Sequence, residues 1–80
     1  MVAPRIGTQR RKVYDFIAST GVAGATDIEI QTSLGMGGNT ERPRRVELVD
    51  QGLISDSGRR RMHGGRRHIV WMTAPAASHG

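Results

Sequence analysis

Residues 26–54 read TDIEIQTSLGMGGNTERPRRVELVDQGLI, and their punctuation decides the fold. Thr26-Asp27-Ile28-Glu29 fits an S/T-x-x-E capping box: the Thr26 hydroxyl accepts from the Glu29 N–H, and the Glu29 carboxylate reaches back to the Thr26 N–H. Ile30 and Leu34 then share a face, and Gly35 stops the helix. Met36 is placed to fold back as the apolar contact of a Schellman-type end. A helix of two turns is not stable alone and must pack on its neighbours. Gly37-Gly38 reads as a tight turn, with Asn39 or Thr40 capping the next helix. Behind Thr40, Pro43 falls in the first turn, where a missing N–H costs nothing. That helix runs over residues 40–51 and stops at Gly52. Val46, Leu48 and Val49 supply its buried side, and Leu53-Ile54 leads into a strand.

Working outward, residues 1–7 form a loose arm, and Thr8 caps a first helix that extends to about Ser19. Val13, Phe16 and Ile17 recur at helical spacing and make one apolar stripe. Gly21 ends this helix. Val22 to Ala25 is long enough only for an extended connection or a one-rung strand. Beyond Ile54 the pattern becomes extended. His63-Gly64-Gly65 is a hairpin-turn signal, and RHIVWMT at 67–73 has the β-branched and aromatic content of a strand. Alternation puts Ile69 and Trp71 on one face as a core pair, with His68, Val70 and Met72 on the other. Residues 74–80 read as a disordered tail. The expectation is one α+β domain over residues 8–73, with no internal repeat.

Composition narrows the function. The chain of 80 residues carries 12 Lys+Arg against 7 Asp+Glu, a formal charge of +5. No apolar run approaches the roughly 18 residues of a membrane span, and MVAPRIGTQRRK lacks the apolar core of a secretory signal. Without cysteine there is no disulfide framework or thiolate zinc site, which suits a reducing cytoplasm. So short a chain builds a small core rather than a core and a deep pocket, so no enzyme, cofactor or small-molecule substrate is expected. His63, His68 and His79 have no zinc-site spacing, and with Ser19, Ser33 and Ser57 they do not form a triad. Met36 and Met72 read as core filler and Trp71 as a core anchor.

Eleven of the cations are Arg, a preference that a GC-rich genome explains. Their positions need another cause. Arg10, Arg11 and Lys12 form one cluster, Arg42, Arg44 and Arg45 a second, and Arg59, Arg60, Arg61, Arg66 and Arg67 a third. Residues 57–80 contain no acid. Such a field attracts phosphate backbones.

Helix, extended rung, short helix, turn, helix and basic hairpin together resemble the winged helix-turn-helix family of DNA-binding domains. The resemblance covers residues 8–73. RRVELVDQGLI at 44–54 is similar to the family's recognition helix and the lead into its wing. TDIEIQTSLGM followed by NTERPRR resembles its helix-turn-helix, and HIVWMT its returning wing strand. The resemblance implies an α+β fold, three helices with a C-terminal β-hairpin wing, of the kind found in small bacterial and bacteriophage regulators of transcription and recombination. It implies helix 40–51 in the major groove and wing 57–68 on the backbone or in the minor groove.

Helical spacing of 100° puts Thr40, Arg44, Glu47 and Gln51 opposite the Val46, Leu48 and Val49 sector. Arg44 is then the best base reader, because its planar fork matches guanine O6 and N7. Thr40 and Glu41 are further base contacts. Asn39 at the helix start, with Arg42 and Arg45, falls to the backbone, although Arg45 paired with Asp15 or Glu29 is an alternative. Arg59, Arg60, Arg61, Arg66 and Arg67 serve as wing contacts, and Arg10, Arg11 and Lys12 as a third basic patch.

The expected partner is double-stranded DNA, not a membrane, and the expected location is the cytoplasm, with the nucleoid. With seven residues on either side of the folded region there is no room for a dimerisation helix. A monomer that binds cooperatively on tandem sites is expected. Two alternatives stand beside this reading: a protein-interaction module docking on a polymerase or recombinase subunit, and RNA binding, which the shortage of aromatic stacking platforms disfavours.

Overall fold

Local signals set most element boundaries in the computed structural model, which describes residues 7–74. The arm and tail read from the sequence therefore lie, apart from Gly7 and Ala74, outside the described residues. The elements are α1 (Thr8–Ser19), a single 3₁₀ turn (Gly21–Ala23), α2 (Asp27–Leu34), α3 (Gly38–Asp50), β1 (Ile54–His63) and β2 (Arg66–Thr73). Three helices followed by an antiparallel hairpin make an α+β fold with a winged-helix layout.

Gly7 rather than Thr8 occupies the N-cap of α1, and Val13 and Ile17 are its fully buried residues. The capping box of α2 has both reciprocal bonds, Glu29 N–H to Thr26 Oγ1 at 3.2 Å and Thr26 N–H to Glu29 Oε1 at 3.1 Å. At its far end Gly35 is left-handed, and the Met36 N–H bonds to the Gln31 carbonyl at 3.0 Å. That is the Schellman closure. Helix α2 packs on both α1 and α3.

Two expectations about α3 are corrected. It begins at Gly38 behind an extended Gly37, with no side-chain cap from Asn39 or Thr40. Pro43 therefore lies inside the helix, where its missing N–H leaves the Asn39 carbonyl without its usual donor. The helix is also rotated by nearly one residue from the orientation its valines suggest. Glu41 and Leu48 are its buried residues, whereas Val46 is 44% exposed. Asn39, Arg42, Pro43, Val46 and Asp50 form the outward side. Only Leu48 fills the interior completely, so the valine pattern misreports the inward direction.

The hairpin turns at Gly64 and Gly65, with φ of +58° and +80°. Positive φ at both positions is what a two-residue type I′ turn requires. The strands pair from Ile54↔Thr73 to His63↔Arg66, with the register broken between Asp56 and Arg60. Ala25 adds a single rung on the other side of β2, exchanging both backbone bonds with Trp71 at 2.9 and 2.8 Å. Gly24, just before this rung, comes up against Val70, which is buried as Trp71 is. Ile69 is only partly buried. Val13, Ile17, Ala25, Ile30, Leu48, Ile54 and Trp71 form the core. Met36 packs against it, while Met72 is half-buried outside it. Among the described residues no helix is long and apolar enough to cross a membrane.

Gly24 makes the close crossing possible. Its φ is +68°, and a Cβ there would lie 2.6 Å from both the Trp71 carbonyl oxygen and Val70 Cγ1. Gly64→Ala, which meets nothing within 4 Å, is expected to cost about 1 kcal/mol from backbone strain alone. Gly24→Ala adds a backbone clash and is expected to cost more than about 3 kcal/mol. Urea unfolding of the two variants checks this, and equal losses would contradict the crossing.

Candidate nucleic-acid interface

The arginines of α3 do not all face outward. Arg45 makes a bidentate pair with Asp27 at the start of α2, Nε to Oδ1 at 3.0 Å and Nη2 to Oδ2 at 2.8 Å. Its guanidinium carbon lies 4.4 Å from the centroid of the Trp71 ring. With side chains only 17% and 16% exposed, this pair is a tie between α2, α3 and β2, so Arg45 is not a phosphate clamp. Its partner is Asp27 rather than Asp15 or Glu29. Arg44, the expected base reader, turns along its own helix to Glu47, with Nη2 to Oε2 at 3.1 Å. Glu47 also meets Arg10 of α1 at 3.4 Å. Arg44 and Arg10 thus converge on one carboxylate that joins α1 to α3.

Glu41 is corrected outright. It is fully buried and cannot reach a base edge. Gln31 Nε2 donates to its Oε1 at 3.0 Å, while Oε2 has no donor among the described residues. Burial raises the Glu41 pKa to about 7; the Gln31 bond opposes the rise, and the Asp27 carboxylate beside it adds to it. Partial burial pushes Asp27 upward too, but the Arg45 bonds, the neighbouring Glu41 carboxyl and the charges of Arg45 and Arg42 together outweigh it and hold that carboxyl below its usual range. The two neighbouring acids are thus pushed in opposite directions, Glu41 up and Asp27 down.

The other basic clusters divide in the same way. In the wing, Arg59 donates to the Val22 carbonyl. Arg60 pairs with Asp56 on its own strand at 3.0 Å. Arg61 Nη1 reaches both oxygens of Glu29, at 2.5 and 2.7 Å. On α1, Arg11 pairs with Asp15 at 3.1 Å. Among the described residues, Lys12, Arg42, Arg66 and Arg67 take part in none of the side-chain hydrogen bonds or ion pairs, and all four are exposed. Thr40 is half-buried beside α3's outward side, and Asn39 is exposed on it.

Two of the free arginines share a groove. Arg42 and Arg45 of α3, Asp27 of α2, and Arg67 and His68 of β2 enclose about 260 Å³ over Trp71. Arg45 neutralises Asp27, so Arg42 and Arg67 leave the groove positive. The groove lies between a helix and the wing. No three His, Asp or Glu gather to hold a metal among the described residues. Compared with known proteins, the sequence matches no family model and no curated protein.

The clustering of arginines is visible in the sequence; which ones are free is not. Nothing local marks Asp27 as the partner of Arg45 or Glu41 as an interior residue.

The Glu41 shift has a definite sign. The folded state holds this proton up to about pH 7, whereas an ordinary Glu loses it near 4.5. Between those values the folded state binds more protons than the unfolded, so this group lowers stability as pH rises. Glu41→Gln removes that slope. The variant's stability relative to wild type is expected to climb by more than about 1 kcal/mol from pH 4.5 to 7 and then level off. Urea titrations across that range measure it; a constant difference would mean that Glu41 ionises normally.

Proposed function

We propose that this chain is a winged helix-turn-helix domain that binds double-stranded DNA, as a regulator of transcription or recombination. The observation that carries the reading is the placement of Arg42 and Arg67, both unpaired, on opposite walls of one groove between α3 and β2. A helix roughly 10–12 Å across fits the major groove of B-DNA. With α3 seated there, Arg42 and Arg67 approach the phosphates of one strand, while Arg66 at the hairpin tip extends the contact. Lys12 adds a fourth free cation.

The face of α3 available to bases is the one carrying Asn39, Arg42 and Val46. Asn39 can pair with adenine N6 and N7, and Val46 can meet a thymine methyl. Thr40 borders this face. Arg44 belongs to the Glu47 tie and reads nothing in this arrangement. A single module of this size makes few base contacts, and a Kd of roughly 10⁻⁶–10⁻⁸ M is expected for a monomer on a cognate site.

Mobility shift with duplex DNA across a salt series tests the reading. Four phosphates neutralised by Lys12, Arg42, Arg66 and Arg67 give a slope of log K on log salt of about −3.6. Arg42→Gln and Arg67→Gln are each expected to flatten it by about 0.9. Asn39→Ala relaxes selection at one base position, costing about 1–3 kcal/mol on the preferred site, while Arg44→Ala leaves selection unchanged. Failure to retard random duplex at about 50 mM salt would instead favour a protein-docking module, and preference for RNA would show as competition by RNA but not by duplex DNA.

A further inference from the structure

The wing is a two-stranded ribbon with its register broken between Asp56 and Arg60. Such a bulge bends a strand and interrupts its ladder, and an isolated hairpin is marginal in water. The ladder alone therefore does not set the direction of the ribbon beyond the break. Three side chains at and beyond the break in β1 reach the body of the domain. Arg59 donates to the Val22 carbonyl. Arg61 Nη2 donates to the Ala23 carbonyl at 2.8 Å, and its Nη1 bridges both Glu29 oxygens. His63 Nε2 lies 3.0 Å from Thr26 Oγ1 and 3.4 Å from Glu29 Oε2. His63 is itself braced across the hairpin by an edge-on contact with His68, 5.4 Å between ring centroids.

Thr26 and Glu29 are the two residues of the α2 capping box. We infer that this box has a second role: Glu29 is a positioning residue that straps the wing, through Arg61 and His63, at the angle that holds Arg67 opposite Arg42. Arg61 is then a structural tie and not a phosphate contact, although it sits in the most basic part of the chain. Burial of the carboxylate opposes its ionisation, but the Arg61 bonds and the Thr26 N–H outweigh this and keep Glu29 charged. A charge-assisted arginine–carboxylate contact is among the stronger polar links available to a side chain. The significance for nucleic acid rests on the proposed function; the strap itself does not.

Glu29→Gln, Arg61→Gln and Arg67→Gln separate the roles. Glutamine at position 29 still completes a capping box, and Arg61→Gln leaves the box untouched. In the free protein, amide exchange over residues 59–69 is expected to accelerate about tenfold or more in Glu29→Gln and Arg61→Gln, with α2 unchanged in Arg61→Gln. Arg67→Gln is expected to exchange as wild type does.

On duplex DNA, Arg61→Gln is expected to lose about three- to tenfold in affinity, the scale of ordering one or two side chains, at an unchanged salt slope. Arg67→Gln flattens the slope by about 0.9. The inference is overturned if hairpin exchange is unaltered by both strap variants. It is also overturned if Arg61→Gln flattens the slope as Arg67→Gln does, or if Glu29→Gln binds more tightly by releasing Arg61. If the wild type binds no duplex, the proposed function fails, and the exchange measurement alone decides the strap.

Discussion

Asp27, the first residue of α2, is where the three parts of the fold meet. Its two oxygens accept the fork of Arg45 from α3, whose other side lies on the Trp71 ring of β2, and it neighbours the buried carboxyl of Glu41. Lysine could not replace Arg45, since the planar fork supplies both the paired bonds and the stacking surface. Removing either charge would leave the other partly buried without a partner, a loss that exceeds what the pair contributes when whole. The groove exists because this knot forms its wall and because Arg45 cancels Asp27. Without that cancellation, the Asp27 carboxylate in the groove lining would offset the charge of Arg42 and Arg67.

What was legible in the sequence is what neighbours along the chain decide. The capping box at Thr26 and Glu29, the stops at Gly21, Gly35 and Gly52, and the turn at Gly64-Gly65 each depend on a few consecutive residues, and each stands where expected. Of the extended connection or one-rung strand expected over Val22 to Ala25, only the rung at Ala25 is present; Val22 and Ala23 turn in a 3₁₀ helix. The orientation of α3 was not. Val46, Leu48 and Val49 indicated an inward side that only Leu48 fully occupies, because the inward side of the first turn belongs to Glu41, held by Gln31. A carboxyl in the interior violates the usual partition of polar and apolar residues, so periodicity pointed away from it. Arg44, expected outward, is tied to Glu47 instead, and the outward side falls to Asn39, Arg42 and Val46.

Charge was the second feature that sequence reading could count but not allocate. Arg45 meets an acid 18 positions away, Arg61 one 32 away and Arg10 one 37 away. No local rule links residues so separated. The consequence is that the +5 charge is not spread over the molecule. Five acids are engaged by six arginines, Glu47 taking two of them. These pairs are not equivalent. Arg11–Asp15 and Arg60–Asp56 are well exposed and contribute little to stability, whereas Arg45–Asp27 is shielded and fixes the packing of three elements. Attraction for an anion then falls chiefly on the few cations left over.

This division bears on how a small domain carries a basic surface. The core has seven fully or nearly buried apolar residues, and a chain of this size has little further apolar area to bury. Polar links must therefore orient elements that the core alone leaves loosely defined. The wing makes the point most clearly: beyond the bulge only Ile69 packs against the core, Met62 is 58% exposed, and its direction comes chiefly from arginines bonded to backbone carbonyls and to Glu29. The same residue type thus serves two ends. Where a carboxylate or carbonyl lies within reach, arginine becomes scaffold; where none does, as at Arg42, Arg66 and Arg67, it remains available to a phosphate. Reach to a carboxylate or an open carbonyl, rather than membership of a basic run, separates the two.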